Sequence, residues 1–134
     1  MNGKLLKLVF TVGILSFVFI VSIRSEVTND NLTGEFESNG NFLEILSKPN
    51  NKIKFYLLAF WKAHIGEVCG TIPINNGKAV YKKGNCEITM IFSGNTIKVT
   101  QKGYDVECDF GANVTARGIY KRINNKIPTF DHCE

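Results

Sequence analysis

The chain has 134 residues, with 16 Lys and Arg against 12 Asp and Glu, four Cys and two His. That length supports one domain around one core. Three of the basic residues, Lys4, Lys7 and Arg24, precede the first acid, Glu26, and without them the formal charge falls from +4 to +1. A nucleic-acid-binding role therefore loses its electrostatic support.

The N-terminus explains the asymmetry. Lys4 and Lys7 lead into an uninterrupted low-polarity run from Leu8 to Ile23. This is the positive region and apolar core of a secretory signal, and its 16 residues fall short of the ~20 that a bilayer-spanning helix needs. Cleavage after Ser25 is expected, in preference to an uncleaved anchor, and no Cys follows closely enough for lipid attachment. The chain divides into a signal peptide over 1–25, a flexible lead-in over 26–33, a folded domain over 34–122 and a C-terminal tail over 123–134. The mature protein is then secreted or periplasmic, with no membrane attachment after signal cleavage.

Beyond the leader the pattern is one of short strands and tight turns. Gly34-Glu35-Phe36-Glu37 runs into Asn39-Gly40, a type I′ hairpin signal that pairs Phe36 with Leu43 and Gly34 with Ile45. Ser47 to Asn51 is a loop. Ile53 to Trp61 is too short for a helix and rich in aromatics, so it reads as a long strand. Alternation puts Ile53, Phe55, Leu57, Ala59 and Trp61 on one face. Tyr56, Leu58 and Phe60 take the other, which is apolar for a surface. Lys62 to Gly66 reads as a loop or bulge, and Val68–Ile74 with Lys78–Tyr81 as a hairpin around Asn75-Asn76-Gly77. Lys82 to Asn85 then turns the chain into its clearest element.

That element is Cys86 to Gln101, two β-branched runs around Gly94-Asn95, with glycine where a type II′ turn requires it. The turn sets Ser93 opposite Thr96, Phe92 opposite Ile97, Met90 opposite Val99 and Ile88 opposite Gln101. The second face carries Thr89 with Thr100, Ile91 with Lys98 and Glu87 with Lys102. A slip of one residue would put Phe92, Met90 and Val99 into water, so the register is strongly specified. Val106 to Phe110 is expected to be extended at least in part, and Thr115 to Arg122 to form the last strand. The tail carries Pro128 and no period.

About eight strands with no helix after the leader indicate an all-β antiparallel meander. Closure removes the exposed edges of such a meander, and Gly34-Glu35-Phe36 and Gly118-Ile119-Tyr120 are suited to meet. The expectation is a small up-and-down barrel, with a β-sandwich as the alternative. Four cysteines in a small exported domain read as two disulfides. With the Gly94 turn at one pole, Cys86, Cys69 and Cys108 all fall near the other. That favours Cys86 with Cys108, leaving Cys69 for Cys133. A tight hairpin at Lys102-Gly103 would instead carry Cys108 beside Ile97 and break that pair. Zinc is the competing use, since His132 adjoins Cys133 and His64 lies near Cys69. No C-x₂-C spacing supports it, and no metal or cofactor is expected.

Catalytic groups are sparse. Gly-x-Ser-x-Gly, His-Glu-x-x-His and phosphate-loop motifs are absent. His64 with Glu67 could form an acid–base pair, but a loop histidine at a barrel mouth is the simpler reading. Asp105, Glu107 and Asp109 would share one face of an extended segment, as its solvated side. Asn31-Leu-Thr33 and Asn113-Val-Thr115 are sequons that a chain so rich in Asn carries by chance.

The leader, the Gly-x-Phe opening strand, the meander and the closing Gly-Ile-Tyr strand resemble lipocalin- and avidin-type barrels. Gly34-Glu35-Phe36 stands where a lipocalin has Gly-x-Trp. Cys86, Cys108-Asp-Phe-Gly111-x-Asn113-Val and Gly118-x-Tyr120 resemble a group of small exported bacterial β-barrel proteins of uncharacterised function. Periplasmic lysozyme inhibitors share the disulfide-pinned architecture, although their loop motif is not evident here. The likeness covers residues 34–122 and rests on structural residues, so it implies a fold and carries over no functional residue. The resulting expectation is a non-enzymatic binding protein, of inhibitor or immunity type, acting on a protein partner. Its candidate surface is Tyr56, Leu58, Phe60, Trp61 and His64. The alternative is a carrier of a small apolar ligand, held by Phe55, Leu57 and Trp61.

Overall fold

A computed structural model describes residues 32–133. The expected signal peptide and cleavage after Ser25, the sequon at Asn31 and the expected lead-in as far as Asn31 lie outside the described residues. Eight strands form one closed antiparallel barrel. They are β1 (Gly34–Ser38), β2 (Asn41–Lys48), β3 (Lys52–Trp61), β4 (His64–Asn75), β5 (Lys78–Lys83), β6 (Cys86–Ser93), β7 (Thr96–Lys102) and β8 (Gly118–Asn124). Each strand pairs with the next in sequence, and β8 returns to β1. This is the expected up-and-down barrel and not a sandwich.

The turns set the registers. Asn39 and Gly40 both take left-handed backbone, φ 50° and 85°, and Phe36 meets Leu43 while Gly34 meets Ile45. Gly94 alone of the β6–β7 turn has positive φ, as type II′ requires, and all seven pairs from Glu87↔Lys102 to Ser93↔Thr96 follow. The inward residues make one hydrophobic cluster. Leu43, Ile45, Ile53, Phe55, Leu57, Ile88, Met90 and Ile97 are 0 % exposed. A void able to hold even a water would leave part of them accessible, so the interior around them is packed like a core.

Both poles are closed by polar ties. At the pole where the Gly94 turn lies, Arg122 stacks its guanidinium over the Phe36 ring, 4.5 Å from the centroid. It donates to the Thr33 carbonyl at 2.7 Å and to Asn95 Oδ1 at 3.1 Å. Leu32 is buried and the Thr33 hydroxyl accepts the Ser47 N–H at 3.0 Å. The end of the expected flexible lead-in is therefore part of the fold. At the opposite pole the loop between β7 and β8 buries Val114 and Ala116. Gln101 Oε1 accepts the Ala116 N–H at 2.9 Å, and the Tyr120 hydroxyl donates to the Ala116 carbonyl at 2.9 Å. Burial pushes the Tyr120 hydroxyl up to about 12.

Three local expectations are corrected. Asp105–Cys108 is a 3₁₀ turn, not an extended run, so Asp105, Glu107 and Asp109 share no face. Glu107 Oε2 accepts the Tyr104 N–H at 2.6 Å and Asp105 Oδ1 accepts the Val106 N–H at 3.0 Å, which bends the backbone away from a ladder. The last strand begins at Gly118, not Thr115, and runs to Asn124, because Gln101 takes the backbone of Ala116. The segment from Lys62 contains only a two-residue turn, with Lys62 at φ 54°, and His64 to Gly66 already belong to β4. Phe110 bridges to Gly66, where a Cβ would stand 2.3 Å from its ring.

Cysteine pairing follows the expectation: Cys86 with Cys108, Cα atoms 5.0 Å apart, and Cys69 with Cys133, 6.1 Å apart. All four thiols are thereby used, which removes the ligands that the zinc alternative needed. Cys69 is not at a pole, however. It lies midway along β4, opposite Tyr56, and the tail crosses the outside of the barrel to reach it. Phe130 is buried beneath the Lys54 ammonium, 4.8 Å from its ring centroid, and the His132 ring lies 5.8 Å from that of Tyr56.

The two bridges should separate in experiment. Cys86–Cys108 closes 22 residues and anchors the plug of one pole, so Cys86→Ser with Cys108→Ser should lower the unfolding free energy by about 2–5 kcal/mol. Cys69→Ser with Cys133→Ser should instead free the tail. Hydrogen exchange should then rise at Tyr56 and Phe130 while β6 and β7 stay protected. Uniform loss of protection in the second variant would show that tail and barrel unfold as one unit.

Candidate functional site

Cα-paired residues of adjacent antiparallel strands share a face, so the registers define rows across the outer wall. One row runs Glu37, Phe42, Leu58, Glu67 across β1 to β4. The next, nearer the tail, runs Glu35, Glu44, Tyr56, Cys69. Phe60 and Ile65 pair on the other side of the first row. Phe42, Phe60 and Ile65 are 42, 41 and 52 % exposed, and Leu58 is half-buried among them. The result is an apolar patch on a rigid sheet, flanked by four carboxylates.

The tail roofs part of this surface. Between it and the wall is a cleft of about 260 Å³, whose lining includes Glu35, Phe42, Glu44, Tyr56, Leu58, Ile123 and His132. Glu35 and Glu44 stand directly opposite one another in the β1–β2 ladder. Burial holds the Glu44 carboxyl above its ordinary range, the Glu35 and Asp131 charges push it the same way, and His132 opposes them. Tyr56 is raised as well, first by burial and then by the Glu67 and Glu44 charges. Glu35 also accepts a hydrogen bond from the Asn124 side-chain amide.

The five expected surface residues are not all brought together. Leu58 and Phe60 lie on the outer face as alternation requires. Tyr56 points outward too, but His132 and the tail cover it and it is only 7 % exposed. Trp61 was expected to face inward with Phe55 and Leu57, yet it is 48 % exposed. The β2–β3 ladder ends at Phe42↔Leu58, so Trp61 projects past it, with the Lys62 ammonium 5.8 Å from its ring. His64 is exposed opposite Trp61 at the hairpin end. Glu67, three positions along the strand, faces the other way, and no hydrogen bond joins the two.

Phe42, Ile65 and the carboxylates Glu35, Glu37 and Glu44 of the two rows escaped the sequence reading, and Glu67 was singled out only as a partner for His64. A signal for Phe42 was present, since the Asn39-Gly40 turn that sends Leu43 inward sends its neighbour outward. The rows themselves need registers across four strands at once. Compared with protein-family models, with curated proteins and with solved structures, the chain matches none.

Glu44 offers a direct check. Its raised pKa means that the folded protein holds the proton more tightly than the unfolded chain, so stability is lost as pH rises from 4.5 through the folded value. Glu44→Gln should remove that loss. It should stabilise the protein at neutral pH by about 0.2–1 kcal/mol, the size of an unfavourable cross-strand pair. The gain should vanish at acid pH. Urea midpoints at neutral pH and below pH 4.5 measure it, and a loss at neutral pH would contradict the account.

Proposed function

We propose that this is an exported, non-enzymatic binding protein, of inhibitor or immunity type, that docks on a protein outside the cytoplasm through the outer face of β2 to β4. The observation that carries the reading is the solvent-facing apolar patch of Phe42, Leu58, Phe60 and Ile65. Contiguous exposed apolar surface with a polar rim marks protein contacts. Here it lies on hydrogen-bonded sheet, so little conformational entropy is lost on docking. Disulfides and the small barrel suit life in an oxidising compartment. Among the described residues no helix is long and apolar enough to cross a membrane.

The carrier reading loses support from the packed interior. A lipocalin-like ligand needs a hollow barrel, whereas Phe55 and Leu57 are fully buried against other side chains. Trp61, the third residue expected to hold such a ligand, instead projects past the end of the β2–β3 ladder into solvent.

Replacing Phe42 and Phe60 together by Ser tests the proposal. Tyr56 is unsuitable because it is buried under the tail. Both chosen rings are substantially exposed, so the double variant should melt close to wild type. Capture from culture fluid or periplasmic extract, read by quantitative mass spectrometry, should show a partner held by wild type and lost by the variant. Purified, that partner should bind the variant with an affinity lower by about 2 kcal/mol or more. An unchanged capture profile would remove the patch from the binding surface.

A further inference from the structure

The tail-roofed cleft differs in chemistry from the open patch beside it. Its walls are apolar, from Phe42, Leu58 and Ile123, while Glu35 and Glu44 face each other across adjacent strands. We propose that this cleft receives an arginine or lysine side chain from the partner's surface, the alkyl stem lying along Phe42 and Leu58 and the cationic head meeting Glu35 and Glu44. The inference rests on the partner-binding reading and specifies the charge of the partner's contact point.

Three observations lead there. The first is an unresolved repulsion. Like charges directly opposite in a ladder destabilise a sheet, and these two border apolar walls that hydrate them poorly. Glu35 has the Asn124 amide, but among the described residues no hydrogen bond reaches the Glu44 carboxyl, and His132 is the only basic side chain in the lining. An entering cation offsets both the desolvation and the repulsion. The second is the sign of the surroundings. Across β1 to β4 the two rows carry Glu35, Glu37, Glu44 and Glu67 and no Lys or Arg. Beyond these rows, Lys54 lies over Phe130, and Lys121 of β8 is in register with Glu37 of the first row. The third is size. At about 260 Å³ the cleft is below the ~300 Å³ at which small-molecule pockets begin. It suits one long side chain, with the rest of the partner lying on the open patch. Long basic side chains bury their stems on apolar surface while keeping the charge at a polar group, and an arginine fork can also bond carboxylates in pairs.

The test uses a blocked Gly-Arg-Gly peptide and its citrulline counterpart, which keeps the shape and loses the charge. In ¹⁵N-resolved NMR titrations at millimolar peptide, the arginine peptide should shift the amides of Phe42, Glu44, Tyr56 and Leu58. The citrulline peptide should bind at least about tenfold more weakly. So should the arginine peptide on Glu35→Gln with Glu44→Gln, a variant expected to melt no lower than wild type. Equal binding of the two peptides, shifts confined to other surfaces, or unchanged affinity in the double variant would each overturn the proposal. Calcium ions that occupy the cleft at micromolar concentration and are not displaced by the arginine peptide would overturn it as well. A final arm separates this inference from the reading beneath it. A partner lost by the Phe42/Phe60 variant but held with full affinity by the Glu35/Glu44 variant would sink the cation alone. A partner indifferent to both would sink the docking face itself.

Discussion

The meeting of β1 with β8 is the contact on which the architecture depends. Without it the meander has two free edges and a half-open core. With it, Phe36 is buried and Arg122 lies across its ring. Arg122 is unusual as an inward-pointing charge in a small barrel, and its position at the pole explains the tolerance. Its guanidinium finds the Thr33 carbonyl, Asn95 and Asn125 within hydrogen-bonding distance, while its π-contact covers Phe36. One side chain thus joins the segment before β1, the β6–β7 turn and the residues after β8. Burial lowers its pKa, yet an arginine stays charged under any physiological condition.

Closure leaves function to the outside. The interior is filled by side chains, one pole by the β7–β8 loop and the other by Arg122 and its partners. The disulfides divide the remaining work. Cys86–Cys108 secures the 3₁₀ turn of the plug, aided by the Lys83–Asp109 ion pair. Cys69–Cys133 lays the tail across the wall and turns a flat sheet surface into one with a cleft. The candidate face therefore combines two surfaces of unlike character: an open patch on rigid strands, and a roofed recess whose one side is the tail.

Much of this was legible because turn chemistry and alternation agree. Gly94-Asn95 and Asn39-Gly40 each specify a register, and each register puts apolar residues on one face, so local and global signals reinforce one another. The failures share a cause. Val106 to Phe110 alternates as a strand would, but the carboxylates of Asp105 and Glu107 bond nearby backbone N–H groups and hold a turn instead. Tyr56 and Trp61 exchange their expected environments because alternation reports direction, not cover. The tail buries an outward ring, and the end of a ladder exposes an inward one. The acidic rows were invisible for a related reason. Each turn fixes one pair of strands, while a row is the product of three consecutive registers.

Barrel topology also bears on how the chain reaches its native state. Seven of the eight ladders join strands adjacent in sequence: six can form as hairpins over turns of two or three residues, and β7–β8 closes over the longer loop 103–117. The eighth joins Glu35 to Asn124 across nearly the whole described chain. Loop-closure entropy makes it the costliest ladder to form first and the cheapest to form last, once the intervening hairpins have shortened the effective path. Until then Phe36 and Tyr120 are exposed on open edges. Closure is thus a kinetic event as well as an architectural one: it ends the interval in which a second copy could add a strand to either edge.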